Sequence, residues 1–129
     1  MVPKFRVYET DRKAMHYTDK DLVVCFSDNG VDVIDHTTFS SSCMDIDNFV
    51  LMQSTGLKDK NGEDIFEGDV VKTKYGEHGR HIGVVKYGGA KFYSEGVKQY
   101  LSWHEDLNGL FEIIGNQFEQ PHLLEGDNE

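Results

Sequence analysis

The residues of this sequence best suited to chemistry are its six histidines, yet their spacing does not gather them into a site. His78 and His81 lie three residues apart, but their surroundings predict a turn and a strand rather than one helical face. A zinc site needs three or four convergent ligands. We therefore expect exposed loop histidines and predict neither a bound metal nor a cofactor.

The two cysteines, Cys25 and Cys43, are separated by seventeen residues. Cys25 lies inside the apolar run Leu22–Phe26, where burial would disfavour a thiolate. Thiols of intracellular proteins usually remain reduced and pack as small apolar groups. We predict a buried structural thiol at Cys25, and neither a nucleophile nor a disulfide.

Other motifs that could carry chemistry depart from the patterns that their chemistry requires. The segment Asp59–Asp64 resembles a calcium loop, but Gly62 is its fourth residue, whereas an EF-hand places glycine sixth. Ser40–Ser42 lacks the glycines of a nucleophile elbow, and Gly88-Gly89 lacks the lysine of a phosphate-binding loop. We expect a charged hairpin turn at 59–64 and a protein that is not an enzyme.

Strand signals dominate the elements that must position these residues. Alternating or apolar runs bounded by turns predict two N-terminal hairpins, Phe5–Tyr8 with Ala14–Tyr17 and Leu22–Phe26 with Val31–Ile34. Residues 35–48 are expected to form an irregular connection. Further strands are predicted at Phe49–Thr55, from Ile65 to Tyr75, and over the segments His81–Tyr87, Lys91–Ser94 and Phe111–Gly115.

Two short helical segments complete this pattern, a single turn over Ser102–Leu107 and a C-terminal helix over Gln120–Glu125. The fold class is mostly β, all-β or β-rich α+β. A hairpin layer over residues 1–48 is expected to pack on an SH3-like small barrel over 49–129, as one compact unit. Gly68–Val71 and Gly83–Tyr87 favour the barrel because glycines relieve crowding between strongly bent strands.

Charge is unevenly distributed along this acidic chain of 129 residues, whose formal net charge is −10. Residues 70–104 hold six Lys or Arg against two acids, whereas residues 105–129 hold seven acids and no Lys or Arg. No apolar run approaches the ~18 residues that span a bilayer, and the N-terminus lacks a secretory apolar region. We expect a cytoplasmic protein without a membrane partner.

Three segments make the chain similar to a known family. Leu51–Val71 (LMQSTGLKDKNGEDIFEGDVV) closely resembles the central signature of the YopX-like phage proteins. Lys4–Tyr8 is similar to the start of that family, and Phe111–Leu124 is similar to its end. The resemblance implies a β-rich protein encoded by a phage or prophage and acting in a bacterial host. It implies no activity, because the molecular role of the family is not established.

The functional hypothesis is an accessory protein that binds nucleic acid or protein through its basic 70–104 segment. Aromatic residues are interspersed among these cations, and the combination suits a nucleic-acid backbone and its bases. The candidate binding residues are Lys72, Lys74, Arg80, Lys86 and Trp103. Two alternatives remain: a homo-oligomer joined by the basic and acidic segments, and an acidic decoy that inhibits a host nucleic-acid-binding protein.

Overall fold

The computed structural model describes residues 4–20, 22–28, 30–35, 44–45, 48–76 and 79–125. Two compact units divide the chain, residues 1–53 and 54–129. The predicted division at residues 48 and 49 stays a prediction. No helix in the described part of the chain is long and apolar enough to cross a membrane.

The described residues form strands with two short 3₁₀ helices, which confirms the mostly-β class. The strands are β1 Phe5–Glu9, β2 Ala14–Tyr17, β3 Leu22–Ser27, β4 Gly30–Asp35, β5 Met44–Asp45, β6 Phe49–Lys58, β7 Asp64–Phe66, β8 Asp69–Gly76, β9 Gly79–Gly88, β10 Lys91–Gly96, β11 His104–Asp106 and β12 Glu112–Asn116. The 3₁₀ helices are Lys98–Tyr100 and Pro121–Leu124. The sheets are antiparallel and include a half-barrel; the SH3-like description stays a prediction.

Both N-terminal hairpins are confirmed in the first unit. β1 pairs with β2 and also with residues 49–53 of β6, while β3 pairs with β4 and β4 with β5. Val7, Leu22 and Val33 are the buried centre of this unit's core. Most of the connection predicted over residues 35–48 lies outside the described residues.

The prediction of a buried thiol at Cys25 is wrong, because the side chain is exposed. Side chains alternate between the two faces of a strand. Leu22 and Val24 pack into the core, which leaves Val23 and Cys25 on the uncovered face. An antiparallel hairpin that is covered on one side explains how an apolar run can still be half exposed. Cys43 lies outside the described residues.

The second unit holds an antiparallel sheet in the order β11-β10-β9-β8-β12, and residues 54–58 of β6 pair with β7. Its core contains Ile65, Val71, Val85 and Phe111. The C-terminal helix is confirmed as the 3₁₀ turn that begins at Pro121. The turn predicted over Ser102–Leu107 is wrong, because His104–Asp106 pairs with β10 as strand β11.

The turn at residues 59–64 is organised by a buried carboxylate. Asp59 is 6% exposed, and its Oδ1 accepts the backbone N–H groups of Asn61 and Glu63, each at 2.9 Å. Its Oδ2 accepts the N–H of Ile113, on β12, at 3.1 Å. The predicted charged turn is therefore present. The carboxylate of Asp59, however, is not solvated but bonds the turn to a residue of β12 that lies 54 positions further along the chain.

Candidate functional site

Three of the five candidate residues line one groove of the second unit, with a volume of about 600 Å³. Lys72 and Lys74 are two residues apart on β8 and therefore share one face of that strand. Arg80 reaches the same groove from β9, the antiparallel neighbour of β8. The pairing of β8 with β9 thus brings these three cations together on one groove.

A fourth cation, Lys60, lines the groove from the turn between β6 and β7. The turn is fixed there by the Asp59 carboxylate and by the N–H of Lys60, which donates to the carbonyl of Phe111 at 2.9 Å. The sequence contained no signal for this placement, because Lys60 lies twelve residues before Lys72 and outside the basic segment.

Glu112 partly balances these charges. It lies opposite Lys72 in the β12–β8 pairing, with Oε1 3.8 Å from Lys72 Nζ and 3.3 Å from Lys60 Nζ. Exposed ion pairs of this kind stabilise a fold by only ~0–1 kcal/mol. With one acid among four cations, the groove remains positive on an acidic chain.

Aromatic rings border the cations. Tyr75 lines the groove and is 72% exposed, and Tyr100 lines it from the 3₁₀ helix Lys98–Tyr100. Trp103 is not among the groove-lining residues; its ring packs edge-on against Tyr100, with centroids 5.9 Å apart. Trp103 therefore does not line the groove itself but packs against Tyr100, which does.

Lys86 lies outside the groove. It follows Ile82 by four residues along β9, and its Nζ forms an ion pair with Glu95 of the adjacent β10. The structure brings Lys72, Lys74 and Arg80 together and leaves Lys86 separate.

His81 is a buried member of the groove lining, with 1% of its surface exposed. Its Nε2 lies 2.9 Å from Ser94 Oγ, and within the described residues its Nδ1 has no hydrogen-bond partner. Burial lowers the pKa of His81, although the charge of Glu105 opposes that shift, so the ring is neutral at neutral pH.

The expectation of an exposed loop histidine is thus wrong for His81. The alternation of His81, Gly83 and Val85 along one face of a strand was the signal that could have located it. His78 lies outside the described residues. Among those described, no group of three or more His, Cys, Asp or Glu side chains is placed to hold a metal ion.

The fold and the groove define a small antiparallel β protein with a local cationic site. The family model described as YopX protein matches residues 4–125, so the chain belongs to the YopX family. The crystal structure of protein EF1440 from Enterococcus faecalis is similar to this chain, with 28% sequence identity and a TM-score of 0.66. The similarity covers 97% of this chain and 99% of that one. No curated protein matches the chain.

Proposed function

We propose that this protein is a non-enzymatic binding module whose groove holds the phosphate backbone of a nucleic acid. The observation that carries the proposal is the convergence of Lys60, Lys72, Lys74 and Arg80 on one groove. Cationic side chains that neutralise phosphates release condensed counterions, and this release supplies most of the sequence-independent affinity for nucleic acid. In this proposal the module is a phage- or prophage-encoded accessory protein of the bacterial cytoplasm.

The acidic balance of the whole chain makes the location of the cations important. A net charge of −10 opposes general adhesion to a polyanion. At physiological salt the screening length is about 8 Å, so charges lining one groove act on a ligand there largely independently of distant acids. Binding should therefore be local, salt-sensitive and lost with the groove cations.

The hydrogen-bonded pair of His81 and Ser94 does not favour catalysis. A serine next to a histidine is the arrangement that nucleophilic enzymes use. Here Ser94 is 0% exposed, and a Cβ built on Gly83 would lie 2.3 Å from its Oγ. A substrate has no room to approach that oxygen, and the pair is better explained as polar packing in the core.

Intrachain ion pairs weaken the case for assembly through complementary charge. Asp106 pairs with Lys91 at 2.8 Å, and Glu112 contacts Lys60 and Lys72. Acids of the C-terminal segment thus already face cations of their own chain. An acidic decoy would bind its host protein without the groove cations, and a homo-oligomer joined by the basic and acidic segments would form without any nucleic acid. These differences separate those hypotheses from the present one.

The test compares two triple variants with the same change in net charge. Lys72→Gln/Lys74→Gln/Arg80→Gln removes groove cations, and Lys20→Gln/Lys58→Gln/Lys86→Gln removes exposed cations that do not line the groove. Binding of a labelled oligonucleotide is measured by fluorescence anisotropy at several salt concentrations. We expect only the groove variant to lose affinity, by at least ~10-fold, with its salt slope smaller by about 2.

Equal losses in the two variants would mean that binding follows total charge rather than the groove. Absence of oligonucleotide binding by the unmodified protein at low salt would overturn the proposed function.

A further inference from the structure

Tyr75 lines two clefts of the second unit. One is the cationic groove, and the other is a cleft of about 640 Å³ that contains Gly88, Tyr93 and His104. Each volume is large enough for a nucleotide-sized group, and both lie within the range of small-ligand sites. A ligand in contact with Tyr75 could therefore extend into both clefts.

The local backbone explains why this ring projects. Between Thr73 and Gly76, β8 advances three residues while its partner β9 advances two, from His81 to Gly79. One extra residue in one strand is a β-bulge, which bends the strand and redirects a side chain. The Oγ1 of Thr73 accepts the N–H of Tyr75 at 3.1 Å and fixes this local turn.

The ring is also available to a ligand. Tyr75 is 72% exposed, and no other aromatic ring of the described residues stacks on it. By contrast, Tyr87 is 55% exposed but packs against Phe92, with ring centroids 4.8 Å apart. An unstacked, exposed ring beside cations is a platform on which a nucleobase can stack.

The second cleft differs from the first in charge. Its cation Lys91 is paired with Asp106, and Glu105 also lines it. Tyr93 and His104 add rings 5.1 Å apart, and Gly88 and Gly89 leave space above the backbone. Phosphates are disfavoured beside these carboxylates, whereas the amino groups of bases can donate to them.

We propose that the ligand is a single strand, with phosphates in the cationic groove, one base stacked on Tyr75, and a neighbouring base in the second cleft. This inference rests on the proposed function, because it needs the groove to hold phosphates. It excludes intact duplex as the preferred ligand, since the faces of paired bases are already stacked inside the helix.

The experiment measures anisotropy for single strands of DNA and RNA, the matching DNA duplex, and an abasic strand of equal length. Tyr75→Ala removes the platform, Tyr75→Phe keeps the ring, and Tyr87→Ala removes an exposed ring that lines neither cleft. Circular dichroism verifies folding of each variant. We expect Tyr75→Ala to weaken single-strand binding by about 10-fold, with little effect on duplex or abasic strand. Tyr75→Phe and Tyr87→Ala should bind like the unmodified protein.

The DNA and RNA strands identify which backbone is preferred, and preference for either supports the inference. If single strand, duplex and abasic strand bind alike and Tyr75→Ala changes nothing, the inference fails while the proposed function stands. If none of these ligands binds, both fail.

Discussion

Two charged regions of the second unit use their charges in opposite ways. In the turn 59–64, the carboxylate of Asp59 is buried and accepts three backbone N–H groups. In the groove, Lys72, Lys74 and Arg80 are exposed. The sequence predicted a charged turn for the first region and a binding face for the second. The difference shows how the surroundings of a charged side chain determine its role. A charge that is bonded to backbone amides stabilises the fold, whereas a charge that faces solvent is available to bind a ligand.

The turn also belongs to the segment that carries the family resemblance, Leu51–Val71. Asp69, in the same segment, is 3% exposed and accepts the N–H of Phe66 at 2.8 Å. The buried acids of the signature thus have structural roles. Apart from Lys60, the cations that line the groove lie beyond the signature, on β8 and β9.

The largest expected effect is on stability, for Asp59→Ala. The substitution leaves three backbone N–H groups without their acceptor, one of them from a strand that contributes to the core. We expect the free energy of unfolding to fall by about 3 kcal/mol. Urea denaturation followed by circular dichroism measures this change.

Lys58→Gln is the matched control, because Lys58 is the last residue of β6, next to the turn, and its Nζ pairs with Asp64 at the surface. Its denaturation midpoint should stay unchanged, because exposed ion pairs contribute little. Equal midpoints for Asp59→Ala and Lys58→Gln would remove the distinction between the two regions.

The next effect is a dependence of stability on pH. Burial alone would raise the pKa of Asp59, but the N–H groups of Glu63, Ile113 and Asn61 outweigh it and hold the pKa below its usual 3.8. The folded state thus binds this proton less readily than the unfolded state. The stabilisation is present above about pH 4 and is lost as pH falls through the folded pKa.

Urea denaturation of the unmodified protein and Asp59→Asn across this acidic range tests the prediction. The advantage of the unmodified protein should shrink as the pH falls. A constant difference between the two proteins from neutral to strongly acidic pH would contradict the assigned role of the charge.

The smallest expected effect is that of the groove charges on folding. Lys72→Gln/Lys74→Gln/Arg80→Gln should change the free energy of unfolding by less than about 0.5 kcal/mol per site, because these side chains are exposed. A slight gain is reasonable, since like charges repel one another. A large loss in urea denaturation would assign these cations to the fold rather than to a ligand.

Local patterns in the sequence predicted much of this fold. The period-two alternation and the turn residues located the two hairpins, the strands β8, β9, β10 and β12 of the second unit and the C-terminal turn at Pro121. Cys25 was misassigned because an apolar run does not reveal which of its faces another layer will cover. Strand β11 was missed because its pairing with β10 is a tertiary contact.

The sequence predicted only those residues of the candidate site that lie close to one another along the chain. Lys72, Lys74 and Arg80 meet because one hairpin connects them, whereas Lys60 joins them through a contact with the segment near Phe111. The bulge that exposes Tyr75 depends on the register between two strands. Such nonlocal features are not encoded in any single window of the chain.

The most direct test of the central claim is to locate the ligand on the protein by NMR. A short single strand is titrated into the isotopically labelled protein, and the backbone amide shifts are followed. The account predicts the largest changes at Lys72–Tyr75, around Arg80–Ile82 and at Tyr100. Changes confined to other surfaces, or none at low salt, would contradict it.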